Sequence, residues 1–470
     1  MILHIATLKR LFHIDPVSTD AVCHPLSSLL YQTLIRINRS GDAATAELAA
    51  DWIISADYRR FSFTLAENFF HDGRPVLASH VAHSLARHVW PDSPSIFAEL
   101  LRELIVGANE CVTGEIPAGL YADDEKNHLL IHLKQSYCPF LEVLAHPAMG
   151  ISLQLNTGQI LGSGPMCLSS EVHQTDDDAG HWQLSRHTAY AGQRHLPEQI
   201  SILRYAHFDE LALAYQGGQL DAVLLERKHQ LRLDAMPGAH SSHLRDRWAG
   251  MLIMNAAGIF DQRELRRDFH ALVQKQAHQD LGAAYHADFI PVDILRPTVL
   301  PVHDISPGDF QIRWARHFLS GPVRIIYAAG RGPLSAGLDC AITVLQACGI
   351  AYELIMTENP AQVYEVVATG NFDLVARGWI QDYDDADQYV GMYEKQAPQA
   401  QARSAYLEFY AAIAAARFLP DPQQRLSAYA TATDQLNAQY LYITISRDHH
   451  RIFHRENLRL QTGCRDPFDL

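Results

Sequence analysis

The chain has 470 residues, 48% of them apolar, enough for more than one hydrophobic core and for two or three domains. Its 53 acidic residues outnumber 38 basic ones, giving a formal charge of -15. That argues against a nucleic-acid groove or an anionic membrane surface, which both reward clustered Lys and Arg.

Met1 is followed at once by Ile2-Leu3-His4-Ile5-Ala6, a strand pattern and not the basic and apolar regions of a secretory signal. The protein is therefore expected either in the cytosol or with its signal already removed. Asp15-Pro16 marks a turn, and a helix is expected over 26–34. Next come a helix over 46–53 and a strand over 61–65, where Phe61, Phe63 and Leu65 alternate with polar neighbours. Helices over 78–89 and 97–105, a strand over 128–133, a helix over 140–145 and a short strand over 150–155 follow. A turn at Gly162-Ser163-Gly164-Pro165 opens a stretch of strands and short helices. The most regular part is later: strand 322–328, helix 335–348, strand 351–355, helix 361–369, strand 372–376. This β-α-β-α-β order implies an α/β fold with a parallel or mixed sheet. Helices over 405–417 and 422–439 and a strand over 441–445 complete the chain. No apolar run reaches the roughly 18 residues a membrane-spanning helix needs.

The seven Cys are scattered without a CxxC pair or zinc spacing, a pattern that leans toward a reducing compartment. Gly330-Arg331-Gly332 sits between a strand and a helix, but the third glycine of a phosphate loop is missing and Pro333 removes a backbone donor. It reads as a plain turn. His80, His83 and His88, and His449, His450 and His454, lack the HExxH arrangement and read as solvated or core imidazoles. No GxSxG elbow or other catalytic spacing is present, so no enzyme and no cofactor are expected. Asp382-Tyr383-Asp384-Asp385 follows an apolar strand, with Gly378-Trp379 between. Ligands of open α/β sheets bind at the carboxyl ends of strands, where a Trp and an acid offer an apolar wall and an anchor for a cation. A solvated acidic loop is the other reading of the same residues.

Several stretches in order resemble the family 5 extracellular solute-binding proteins, whose members bind oligopeptides, dipeptides, nickel and other small solutes. They are Leu30-Tyr31-Gln32-Thr33-Leu34 with Ala46-Glu47-Leu48-Ala49-Ala50-Asp51-Trp52, and Phe61 to Leu65 with Phe70-His71-Asp72-Gly73-Arg74-Pro75-Val76. Pro139-Phe140-Leu141-Glu142-Val143-Leu144-Ala145, Gly162 to Pro165, Gln216-Gly217-Gly218-Gln219-Leu220-Asp221, Met254-Asn255 and Phe372 to Tyr383 continue the series. The chain departs from the family pattern at Met166, where Tyr is usual, at Ala386, where Pro is usual, and at Arg266-Arg267-Asp268-Phe269, which lacks the usual Ala.

The resemblance implies a two-lobed, periplasmic-binding-protein-like fold (type II, large cluster). Residues 1–32, 150–250 and 441–470 would form the first lobe, 33–149 an extra subdomain of it, and 251–440 the second lobe. It implies capture of a small ligand, foremost a peptide, in an interlobe cleft for import by an ABC-transporter permease. Asp382 would meet the peptide's α-ammonium and Trp379 and Tyr383 would line the cleft. Gly162, Gly164 and the backbone near Leu26 would meet the other side. A monomer in the periplasm or at the cell surface is expected, with no nucleic-acid partner and no bound metal. Two alternatives stand beside this: a cytoplasmic ligand-sensing domain related to sugar-stress regulators, and a nickel or metallophore binder.

Overall fold

Ile2–Thr7 is an interior strand of a mixed sheet, with both of its neighbours far away in sequence. It pairs in parallel with Gln199–Arg204 on one side (Ile5 opposite Ile202) and with Ala222–Leu224 on the other (Ala6 opposite Val223). Gly180–Arg186 and Met166–His173 extend the sheet antiparallel beyond the first neighbour, and Ile452 to His454 do so beyond the second. Period-2 alternation sends its side chains to both faces. Leu3 and Ile5 enter a core with Leu26, Leu29, Ile200 and Phe468, whereas Ala6 faces one with Phe208, Leu211 and Phe453.

The computed structural model describes residues 2–9, 15–18, 22–39, 42–173, 180–192, 194–256, 258–281, 303–317, 321–328, 334–358, 360–383, 385–388, 403–464 and 467–468. The chain forms two compact units, Met1–Asp246 with His450–Leu470, and Arg247–His449. Two long strands, His240–Met254 and Tyr442–His454, run from one unit into the other. Among the described residues, no helix is long and apolar enough to cross a membrane.

The first unit also holds a four-stranded antiparallel sheet in the order Ala49–Ile54, Arg60–Leu65, His128–His132, Leu120–Asp123. Phe61, Phe63 and Leu65 are buried as their alternation predicts, and the Phe61 ring packs 4.9 Å from Phe140. The helix expected over 46–53 is not there. Ala49–Ile54 is a strand, with Trp52 opposite Phe63 and Ile53 opposite Ser62. Cross-strand pairing with an aromatic strand overrides the helix propensity of Ala46, Leu48, Ala49 and Ala50. The helix expected over 26–34 is His24–Leu30 and stops early. Gly164 N donates to Leu30 O at 2.9 Å, Tyr31 turns extended (φ -128°, ψ 138°), and Gln32 O accepts from Ile151 N at 2.7 Å.

In the second unit the β-α-β-α-β order is realised as Val323–Ala328, Leu334–Ala347, Tyr352–Thr357, Pro360–Thr369 and Leu374–Gln381. Val323–Ala328 lies between the other two strands and is parallel to both. Leu374–Gln381 also pairs antiparallel with Arg247 to Met254 of His240–Met254. Neighbouring residues again serve opposite cores. Ile325 and Leu374 pack with Phe269, Phe310 and Leu345, and Ile326 and Val375 with Phe409, Ile413 and Tyr429. Asn255 fixes the start of the last parallel strand, donating Nδ2 to Phe372 O at 2.8 Å and Gly370 O at 3.0 Å. The strand expected over 372–376 runs on to Gln381, so Gly378 and Trp379 belong to the sheet.

Candidate functional site

Asp382 directly follows the strand Leu374–Gln381, at its carboxyl end. Gln388 Nε2 donates to Asp382 Oδ2 at 3.2 Å. Asp385 and Asp387 beyond it pair with arginines of the helices Arg403–Arg417 and Pro422–Asn437. Arg425 donates Nη1 to Asp385 Oδ1 at 2.6 Å and Nη2 to Oδ2 at 2.7 Å. Asp387, with 0% exposure, accepts from Arg417 Nε at 2.9 and 3.2 Å, from Tyr429 Oη at 2.7 Å and from Tyr383 Oη at 3.1 Å. Four charge-assisted contacts offset the cost of taking that carboxylate out of water. Burial works against the Arg425 charge, but the hydrogen bonds and field of Asp385 outweigh it and raise its pKa above the usual value. Burial first and the Asp387 charge second raise the Tyr429 pKa, which keeps its hydroxyl a donor. Ala386, which stands where the family pattern has proline, is buried in the core with Phe372, Phe409 and Tyr429.

In the first unit the turn Gly162 to Pro165 is pressed against the end of the helix His24–Leu30. A Cβ on Gly162 would stand 2.0 Å from Leu30 O, and one on Gly164 2.4 Å from Leu30 C and 2.6 Å from Leu29 O. Only glycine permits that approach. Two imidazoles converge on the same turn: His71 Nε2 lies 3.2 Å and His187 Nδ1 3.1 Å from Gly164 O. A carbonyl oxygen only accepts, so those two nitrogens carry the hydrogens. The rings meet edge to face with centroids 5.0 Å apart. Burial, and then the charge of His187, lower the His71 pKa to about 4, and burial lowers that of His187. Both imidazoles are neutral at neutral pH.

The residues singled out from the sequence thus fall in two places, one in each unit. Leu26 contributes a side chain to the first unit's core, with 1% exposure. Tyr383 is 4% exposed and spends its hydroxyl on Asp387. Trp379 pairs with Ala249 in the sheet. Its side chain, Asp384 and the Gly330-Arg331-Gly332 turn lie outside the described residues. Asp387, Gln388, Arg417 and Arg425 were not anticipated. An acidic stretch reads as solvated until distant arginines are known to face it, although Tyr383 and Asp387 at i and i+4 hinted at a closed turn. His187, like them, carries no motif. Of the histidines noted in sequence, His88 is buried with Nδ1 2.7 Å from Ser95 Oγ, and His454 Nε2 lies 2.9 Å from Ser242 Oγ. Among the described residues, no three His, Cys, Asp or Glu converge as metal ligands.

Comparison with known structures returns whole-chain likenesses. NikA of Brucella suis, solved with Fe(III)-EDTA, is 17% identical with a TM-score of 0.77, covering 100% of this chain and 99% of that one. OppA of Haemophilus influenzae, solved with RPPGFSPFR, is 17% identical with a TM-score of 0.72 and coverages of 100% and 97%. DppA of Helicobacter pylori, an ABC transporter-associated periplasmic binding protein solved with peptide STSA, is 15% identical with a TM-score of 0.73 and coverages of 100% and 97%. The chain therefore has the two-lobed α/β fold of these periplasmic proteins. No curated protein matches it by sequence. The model of the middle region of the bacterial extracellular solute-binding proteins, family 5, matches residues 43–286, more than half of the chain. The chain belongs to family 5 of the bacterial extracellular solute-binding proteins.

Proposed function

We propose that this protein captures small peptides outside the cytoplasm and delivers them to an ABC-transporter permease, with Asp382 meeting the ligand's α-ammonium. The observation that carries this reading is the placement of Asp382. It stands at the carboxyl end of a strand of the sheet, with its Oδ2 accepting from Gln388 Nε2 at 3.2 Å. A desolvated ammonium needs a carboxylate partner, because an unpaired buried charge costs several kcal/mol, on the order of 3–5. The extracellular character of the family supports export, and the peptides bound to OppA and DppA favour a peptide ligand.

A metal chelate is the second reading, favoured by the likeness to NikA solved with Fe(III)-EDTA. Native mass spectrometry of protein purified without denaturation separates the two. Retained masses that fragment as short peptides support the first, and a retained metal-chelate mass would replace it with the second.

A further inference from the structure

The outward face of the four-stranded sheet in the first unit carries a row of residues that runs straight across it. Ile53 stands opposite Ser62, Ser62 opposite Leu130 and Leu130 opposite Tyr121, so each strand contributes one residue. Phe61, Phe63, Leu129 and Ile131 alternate with these and are buried on the inward face. Ile53 is 69% and Tyr121 59% exposed, and Leu130 between them is half-buried. Charges flank the row. Asp51 stands two residues before Ile53, and Arg60 two residues before Ser62. Their strands are antiparallel, so the carboxylate lies on one side of the row and the guanidinium on the other. Asp51 is aligned with Thr64, His128 and Asp123, and Arg60 with His132. Asp51 and Arg60 are both exposed, and neither forms an ion pair among the described residues.

We infer that this face is the docking surface for a second copy of the chain, in place of the monomer that the family resemblance implies. The charges name the occupant. Sheet faces pack with their strands nearly aligned, and a closed pair of identical chains needs a two-fold axis. Two axes in the plane of the face keep the strands aligned. One runs along the strands. It sets Asp51 on Asp123 of the second copy, an acid already paired with Lys126 at 3.0 Å, and Arg60 on His132, so neither exposed charge gains an opposite partner. The other runs along the row. It lays Ile53, Leu130 and Tyr121 on their own counterparts and turns the Asp51 side of each copy onto the Arg60 side of the other. The face is thus complementary in charge to itself in one arrangement, with two Asp51–Arg60 pairs flanking an apolar centre. Four strands about 4.8 Å apart and three rows about 6.8 Å apart give roughly 400 Å2 a side. A standard interface buries about 800 Å2 a side, so association here is weak and reversible, with a Kd on the order of 0.1 mM.

The test is sedimentation equilibrium of the full chain at low salt, from about 10 µM to about 1 mM. Wild type should pass from monomer toward dimer across that range. Asp51→Arg alone, or Arg60→Asp alone, sets like charges face to face at two places, and each should weaken the dimer at least about tenfold. The double variant Asp51→Arg with Arg60→Asp restores opposite charges at both places and should return to within about threefold of wild type. Both positions are exposed, and a rescue by the second reversal is a result that damage to the fold does not produce. Ile53→Ser, which removes the apolar centre, should also weaken the dimer. A chain that stays monomeric throughout overturns the proposal. So do single reversals that leave association unchanged, or a double variant that associates no better than the singles, because the copies would then meet through another surface.

Discussion

Arg425 and Asp385 form a bidentate pair at 2.6 and 2.7 Å, with only 3% of the Arg425 side chain exposed. The pair ties the loop after Leu374–Gln381 to the helix Pro422–Asn437. Removing one partner strands the other. Arg425→Met should therefore cost about 3–5 kcal/mol and lower the urea midpoint. The double change Arg425→Met with Asp385→Leu should recover much of that loss, because no charge is then left behind. A single variant as stable as wild type would show that the pair adds nothing.

The turn against the helix His24–Leu30 gives a second expectation. Gly164→Ala places a methyl 2.4 Å from Leu30 C, among backbone atoms that cannot swing away. Overpacking of that kind costs about 2–3 kcal/mol or more. Gly158 has φ +84° but nothing within 4 Å of an added Cβ, so Gly158→Ala should cost only about 1 kcal/mol, from backbone strain. Thermal midpoints of the two variants compare them directly. Equal losses would contradict the close approach.

Three buried imidazoles set the response to acid. Burial lowers the pKa of His71 to about 4, of His88 to about 3 and of His270 to about 4, against an ordinary value of 6.5. Above pH 6.5 each is neutral whether folded or unfolded and adds no pH dependence. As pH falls below 6.5 the unfolded chain takes up protons that the folded one refuses. Stability therefore drops between pH 6.5 and about 4, by up to ~3 kcal/mol for His270. Urea midpoints should be flat from pH 8 to 7 and fall below 6.5, and His270→Gln should flatten part of that fall. A midpoint that rises on acidification would refute this.

Much of the architecture is legible in the residues. The alternation of Phe61, Phe63 and Leu65 gives a strand because one face must be buried, and the β-branched run from Val323 to Ile326 gives one buried on both faces. The segment around Trp52 misleads because its Ala and Leu favour a helix in isolation. Its strand state depends on Phe63 across the sheet, a contact that local propensity does not contain. The site divides in the same way. Asp382 is proposed from its position after an apolar strand. Asp387 is missed because its arginine and tyrosine partners lie 30 and 42 residues away, and the burial of a carboxylate depends wholly on such partners.

The most direct test is calorimetric titration of wild type and Asp382→Asn with a free-amine tripeptide and its N-acetylated form. Wild type should bind the free amine at least about tenfold more tightly than the acetylated peptide, and Asp382→Asn should lose that preference, since the pairing of one desolvated charge is at stake. Equal affinities of wild type for both peptides, or an unchanged preference in Asp382→Asn, would contradict peptide capture through this carboxylate.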